Sequence, residues 1–249
     1  MPEQDSLREL VRRDQDHECE GFGAARTCVR VVAVADLPTR FGRFGLVGFW
    51  NNRDAKEHVA MVHGEVVGAE EVPVRLHSEC LTGDVMGSLR CDCRDQLTGG
   101  LAAIRRHDRG VLLYLRQEGR GIGLINKIRA YALQEEGLDT VEANLALGFR
   151  DDERDYAVAA HMIHSLGIRS IRLITNNPNK MAQLKQHRVA VAGRIPHVIP
   201  ANEFNRSYLE TKARKSGHYL DVAGAARLPE QGDPVLVEGM PGSGGADEA

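Results

Sequence analysis

His77-Ser78-Glu79-Cys80-Leu81-Thr82-Gly83-Asp84, followed after a short gap by Leu89-Arg90-Cys91-Asp92-Cys93, is the stretch on which the chain turns. It sets three cysteines at a C-x10-C-x-C spacing among charged and hydroxyl side chains rather than in an apolar run. A thiolate is a strong zinc ligand, and three protein ligands leave a fourth tetrahedral position for water, as a catalytic site requires. Zinc bound in that way lowers the pKa of its water towards neutrality. The spacing alone leaves two other readings open. The thiols suit ordinary buried positions, and His77 suits the fourth place of a closed structural site.

The pattern of the chain changes across this stretch. Upstream, Val29–Val34, Phe44–Trp50, His58–His63 and Val72–His77 have the composition of strands, with a glycine-containing turn between the first two. The cysteines therefore follow directly from a strand, so that they fall at its end and on a loop, a rigid place to hold a metal. Downstream, from Asp95, the period becomes helical: Leu97, Leu101 and Ile104 share one face, and the helix runs to about Asp108-Arg109-Gly110. Val111–Leu115 is a short apolar run suited to a buried strand. A polar glycine-rich loop, Arg116–Gly123, then opens onto a helix predicted over Leu124–Glu136. Asp152–Leu166 reads as a further helix with Tyr156, Ala160 and Ile163 on one face. Ser170–Ile174 reads as a strand, and Thr175-Asn176-Asn177-Pro178 as the turn into the next helix. Strands dominate the first half, and strand, loop and helix alternate in the second. That is an α/β protein with a mixed sheet. The division expected is a flexible or loosely docked arm over 1–24, one domain over 25–222, and a disordered tail rich in glycine and proline over 223–249.

Bulk properties exclude some functions. A net charge of -3 does not suit a general nucleic-acid binder, and no apolar run approaches the length of a membrane span. No signal-like segment opens the sequence, so a reducing cytoplasm is the expected compartment. There, clustered cysteines bind metal more often than they form disulfides. Cys19 and Cys28 lie outside the cluster and are expected to be plain thiols.

Three further clusters carry chemistry. In Gln117-Glu118-Gly119-Arg120-Gly121-Ile122-Gly123 the glycines let backbone approach a ligand, a carboxylate can accept from a guanine-type N–H edge and an arginine can clamp phosphate. The same pattern suits a tight strand-to-helix turn. In Asp151-Asp152-Glu153-Arg154-Asp155 the acids suit a helix first turn, and Arg154 among them would be held in one orientation. In Thr175-Asn176-Asn177-Pro178-Asn179-Lys180 a strand-end threonine and a lysine at a helix start suit a phosphate, or equally a capped turn. Arg75 is another candidate cation.

Taken together, His77–Asp84, Arg90–Cys93, Arg116–Leu124, Asn126–Gln134, Asp152–Asp155 and Thr175–Pro178 resemble GTP cyclohydrolase II in order and spacing, across roughly residues 38–220. The resemblance implies a zinc enzyme that opens the imidazole ring of GTP. Formate leaves from C8 and pyrophosphate from the 5′ end, giving 2,5-diamino-6-(5-phosphoribosylamino)pyrimidin-4(3H)-one, the first intermediate of riboflavin synthesis. It further implies magnesium on the triphosphate and a homodimer. By motif, Cys80, Cys91 and Cys93 would hold zinc, whose activated water would attack C8. Asp152 matches the family's base, Arg154 the arginine that acts at the α-phosphorus, and Tyr131 the tyrosine beside the zinc-bound water. Arg75, Leu76, His77, Ser78, Glu79, Gln96, Glu118, Gly119, Arg120, Thr140, Thr175 and Lys180 match positions that contact GTP. Some relatives stop at the formamidopyrimidine, and a non-catalytic GTP-binding relative is a further alternative. The presence of Tyr131 with every other catalytic candidate favours the complete reaction.

Overall fold

The computed structural model describes residues 5–22, 25–197, 199 and 205. Its centre is a seven-stranded mixed sheet in the order β1-β2-β3-β5-β4-β6-β7. The strands are β1 Val29–Thr39, β2 Gly42–Asn51, β3 His58–His63, β4 Val72–Ser78, β5 Gly110–Leu115, β6 Ile171–Ile174 and β7 Val191–Ile195. The helices are α1 Asp5–Gln15, α2 Leu81–Asp84, α3 Cys93–Arg105, α4 Leu124–Glu135, α5 Thr140–Ala146, α6 Ala157–Ser165 and α7 Pro178–Gln186.

The sheet has an antiparallel part and a parallel part that share β5. β1, β2, β3 and β5 are antiparallel neighbours, and the first turn is short because Gly42 takes a φ of +109° that L side chains avoid. β5, β4, β6 and β7 run parallel, which requires long crossovers. α3 makes the crossover from β4 to β5, and so the cysteine stretch emerges at the C-terminal end of β4, between two parallel neighbours. Open α/β sheets place ligands at that edge of the strands. The loops after β4, β5 and β6 all leave from it.

β5 is buried on both faces, which is why it reads as an unbroken apolar run. Val111, Leu113 and Leu115 join the larger core with Val74, Leu76, Tyr156, Ala160 and Ile163. Leu112 points the other way, to Leu101 and Ile104 of α3 and to Phe44. The face predicted for α6 is therefore in the core, and the α3 face covers the opposite side of the sheet.

Two stretches of the chain differ from what the sequence suggests. The first is the arm over 1–24. Residues 5–15 are helical, and Leu7 and Leu10 are buried in the main core. The Asp14 carboxylate accepts from the Val31 amide of β1 at 2.8 Å, and Arg13 donates to the Ser165 carbonyl at 2.9 Å. The docking brings the following segment beside β1, where Cys19 and Cys28 form a disulfide instead of standing as plain thiols. Leu10→Ala is expected to cost about 2–5 kcal/mol of stability, the usual price of emptying a core leucine site. Urea unfolding checks this, since an undocked arm would leave the midpoint unmoved.

The second is the start of α6, which begins at Ala157 rather than Asp152. The carboxylates turn back on their own backbone: Asp152 accepts from the Arg154 amide at 3.0 Å and Asp155 from the Ala157 amide at 2.7 Å. Such local bonds compete with helix formation. The acidic run is thus an irregular loop. The tail over 223–249 lies outside the described residues. No helix among the described residues is long and apolar enough to cross a membrane.

Candidate active site

The cysteine stretch folds around one carboxylate. Asp84, at the end of the single-turn helix α2, accepts from the Cys80 amide at 3.0 Å, from the His77 ring at 2.9 Å and from the Tyr114 hydroxyl at 2.8 Å. The His77 ring stacks on Tyr114 at 5.3 Å between centroids. His77 is spent on Asp84 and does not join the thiols, so the closed four-ligand reading finds no support among the described residues. Gly83 has no side chain because none fits. A Cβ there would lie 2.8 Å from Cys91 Sγ and 3.2 Å from Cys80 Sγ.

With that cradle closed, the ligand atoms of Cys80, Cys91 and Cys93 lie within 4.8 Å of one another, and Cys80 Sγ stands 3.7 Å from Cys91 Sγ. Three thiol sulfurs converging in this way fit a zinc ion, which favours thiolate donors and tetrahedral geometry. The thiols are not equivalent. Hydrogen bonds from Cys91 and Cys93, and then the Lys127 ammonium, hold the Cys80 thiol far below its ordinary value. Donation to Cys80 pushes Cys91 up to about 11.

The sulfurs open into a cavity of about 430 Å³. One wall is the loop after β5. Gly119, Arg120, Gly121 and Gly123 all have positive φ, which for Arg120 is a strained state worth roughly 1–2 kcal/mol. Packing holds it there. The Glu153 amide donates to the Arg120 carbonyl at 3.0 Å, Arg120 Nη1 reaches Asp151 at 2.5 Å, and a Cβ on Gly121 would press on Glu153 at 3.1 Å. Opposite, α4 presents Tyr131, whose hydroxyl is 3.5 Å from Thr82 Oγ1. That oxygen lies 3.6 Å from Cys80 Sγ. Burial pushes the Tyr131 phenol above its ordinary value. At the third side Arg154 is clamped by Asp152 through Nε at 2.8 Å and Nη2 at 2.5 Å. Burial alone would raise the Asp152 carboxyl, but the Arg154 guanidinium outweighs it and holds the group below the usual carboxylate range.

Residues 29–196, from the first residue of β1 to just past the last of β7, match the family model described as GTP cyclohydrolase II. The chain belongs to the GTP cyclohydrolase II family. A curated relative named riboflavin biosynthesis protein RibBA, from Bacillus cereus, is 52% identical over 217 residues, covering 87% of this chain and 53% of the relative. The protein of the same name from Bacillus mycoides is 57% identical over the same coverage. The chain thus spans about half the length of these relatives.

Against the residues that GTP cyclohydrolase II implies for GTP, the structure makes two groups. Ser78, Glu79, Glu118, Gly119, Arg120 and Thr140 line the cavity, together with the three cysteines, Tyr131 and Arg154. Arg75, Leu76, His77, Gln96, Thr175 and Lys180 do not line it, nor does Asp152 itself. Arg75 and Thr175 are buried. Arg75 donates to Gln96 Oε1 at 2.5 Å and to the Ile174 carbonyl at 3.1 Å, and Lys180 donates to the Leu76 carbonyl at 2.9 Å. The Leu76 side chain is in the core, which leaves that residue only its backbone to offer. Sequence reasoning gave no role to Asp84, Tyr114 or Lys127. The signal for Lys127 was its place four residues before Tyr131 on one helix, which puts both on the same face.

Proposed function

We propose that this chain catalyses the hydrolysis of GTP with opening of the imidazole ring, loss of formate from C8 and release of pyrophosphate. The product is then 2,5-diamino-6-(5-phosphoribosylamino)pyrimidin-4(3H)-one, the first intermediate of riboflavin synthesis. The observation that carries this reading is the convergence of three thiols, a phenol and a clamped guanidinium on one cavity at the C-terminal ends of parallel strands.

Cys80, Cys91 and Cys93 would hold zinc, which when bound supplies a Lewis acid and a water of lowered pKa. Tyr131, within reach of Thr82 beside the thiols, donates a proton as the ring opens. Its raised pKa keeps it in the donating form near neutrality. Arg154 stays protonated and is a poor nucleophile. It acts instead by stabilising charge on the transferring phosphoryl group, in an orientation that Asp152 fixes beforehand. Asp152, with both oxygens on Arg154, serves better as that clamp than as a base.

Arg120 and Thr140 suit the polar ends of the nucleotide, and Ser78, Glu79, Glu118 and Gly119 line the space between. Thr175, just past β6, and Lys180, in the first turn of α7, suit the triphosphate with its magnesium, the Lys180 ammonium also donating to the Leu76 carbonyl. Arg75 and Gln96 brace that edge, with Leu76 and His77 as its backbone and its buried support. The reading takes the enzyme as a homodimer, with GTP as its partner and neither nucleic acid nor membrane; the expected cytoplasmic placement requires that the Cys19–Cys28 bond be one that a reducing compartment can open.

The test is metal removal. Protein stripped by a strong chelator is expected to release no formate from GTP and magnesium, and zinc is expected to restore release. Full formate release by metal-free protein would end the proposal. A further check is Tyr131→Phe, which should slow formate release by about 10²–10⁴-fold, the range of a lost general acid, while zinc content stays as in the wild type.

A further inference from the structure

Lys127 is neither a metal ligand nor one of the residues matched to GTP, yet its ammonium bonds a thiol of the cluster. It lies in the first turn of α4 with its side chain 11% exposed. Its ammonium donates to Cys80 Sγ at 3.0 Å and to Glu118 Oε1 at 2.8 Å. A buried ammonium is costly unless its charge is matched and its protons are bonded. Here both partners are negative when ionised.

Glu118 is a brace as well as a partner. It also accepts from the Leu81 amide at 2.6 Å and from the Gly119 amide at 2.8 Å. Leu81 follows Cys80, so the pair ties the ligand turn to the glycine loop. Three thiolates around a divalent cation carry one net negative charge and the Glu118 carboxylate adds a second, so the one ammonium between them offsets one of the two. An N–H···S bond also withdraws density from the thiolate and fixes its direction, as groups behind a metal ligand commonly do. Two of the three Lys127 donors are occupied in this way, and the ammonium lies 5.8 Å from the centroid of the Tyr131 ring.

We propose that Lys127 is a positioning residue for the metal: through Cys80 and Glu118 it holds the ligand turn and offsets part of the negative charge beside the thiolates, and so sets the affinity of the site for zinc rather than for GTP. The inference rests on the reading of the cysteines as a zinc site. It is tested on the full chain by competition for zinc against a chromophoric chelator, alongside steady-state kinetics at saturating zinc. Lys127→Met, which keeps the length and loses the charge, is expected to weaken zinc binding by about 10–100-fold. The KM for GTP should stay near the wild-type value, and Lys127→Arg should recover part of the affinity.

Unchanged zinc affinity with a raised KM would overturn the assignment and make Lys127 a substrate contact. Weakened zinc binding together with an equal loss of stability in the metal-free chain would overturn it in favour of a purely structural role. If Lys127→Met does not fold, Lys127→Gln is measured in the same way and read by the same outcomes. A wild-type chain that takes up no zinc overturns both this inference and the zinc reading. Zinc held through Cys91 but bound equally tightly by Lys127→Met overturns this inference alone.

Discussion

Cys91→Ser is expected to lose bound zinc and formate release together, with activity falling by well over the roughly 100-fold that marks the upper end for residues one step behind a metal ligand. A serine hydroxyl is a far weaker zinc donor than a thiolate, and only two sulfurs would remain in the set. The fold should survive. Serine is smaller than cysteine, and the turn that carries Cys80 is held by Asp84 through three donors independent of Cys91. Metal content by atomic emission and formate by coupled assay, both on protein of wild-type melting temperature, check the prediction. Loss of activity with full zinc content would separate the cysteines from the metal.

The second large effect is expected at Arg154. Arg154→Lys should lower the turnover number by about 10²–10³-fold, the loss seen when one preorganised donor to a developing charge is removed. Zinc content should not change. An ammonium cannot bond both Asp152 oxygens in the planar fork that Nε and Nη2 now make, so the cation would lose its aim as well as its spread of charge. Pyrophosphate release measured on zinc-loaded variant reads this directly, and a wild-type rate would remove Arg154 from the phosphoryl step.

Much of the fold was legible because its signals are local. The 3.6 period of Leu97, Leu101 and Ile104 marked α3, and the unbroken apolar run of β5 marked a strand covered on both faces. The step from period two to period 3.6 across the cysteine stretch marked the passage from β4 to the helix α3. Features set by distant partners were not legible. α1 shows two core leucines in a charged helix, and only docking against β1 reveals that they are buried. The Cys19–Cys28 disulfide follows from that docking. The Asp152–Asp155 run has the composition of a helix first turn, but Asp152 spends its side chain on Arg154.

The site shows the same division. The spacing of the thiols singled them out, though it left buried thiols and a closed four-ligand site open as alternatives. The brace on Cys80 could not be singled out in this way, because Lys127 and Glu118 stand 47 and 38 residues from it in sequence. Nor does sequence show that the positions matched to GTP fall into a group lining the cavity and a group behind the end of β4.

The central claim is that one cavity carries both the ring opening and the phosphoryl chemistry. The most direct measurement is the amount of formate and of pyrophosphate released per GTP by zinc-loaded wild-type protein with magnesium, with the nucleotide product identified by mass. One of each and the diaminopyrimidinone product are expected. Pyrophosphate without formate would contradict it by showing a reaction that stops at the formamide despite Tyr131, and release of neither would contradict it entirely.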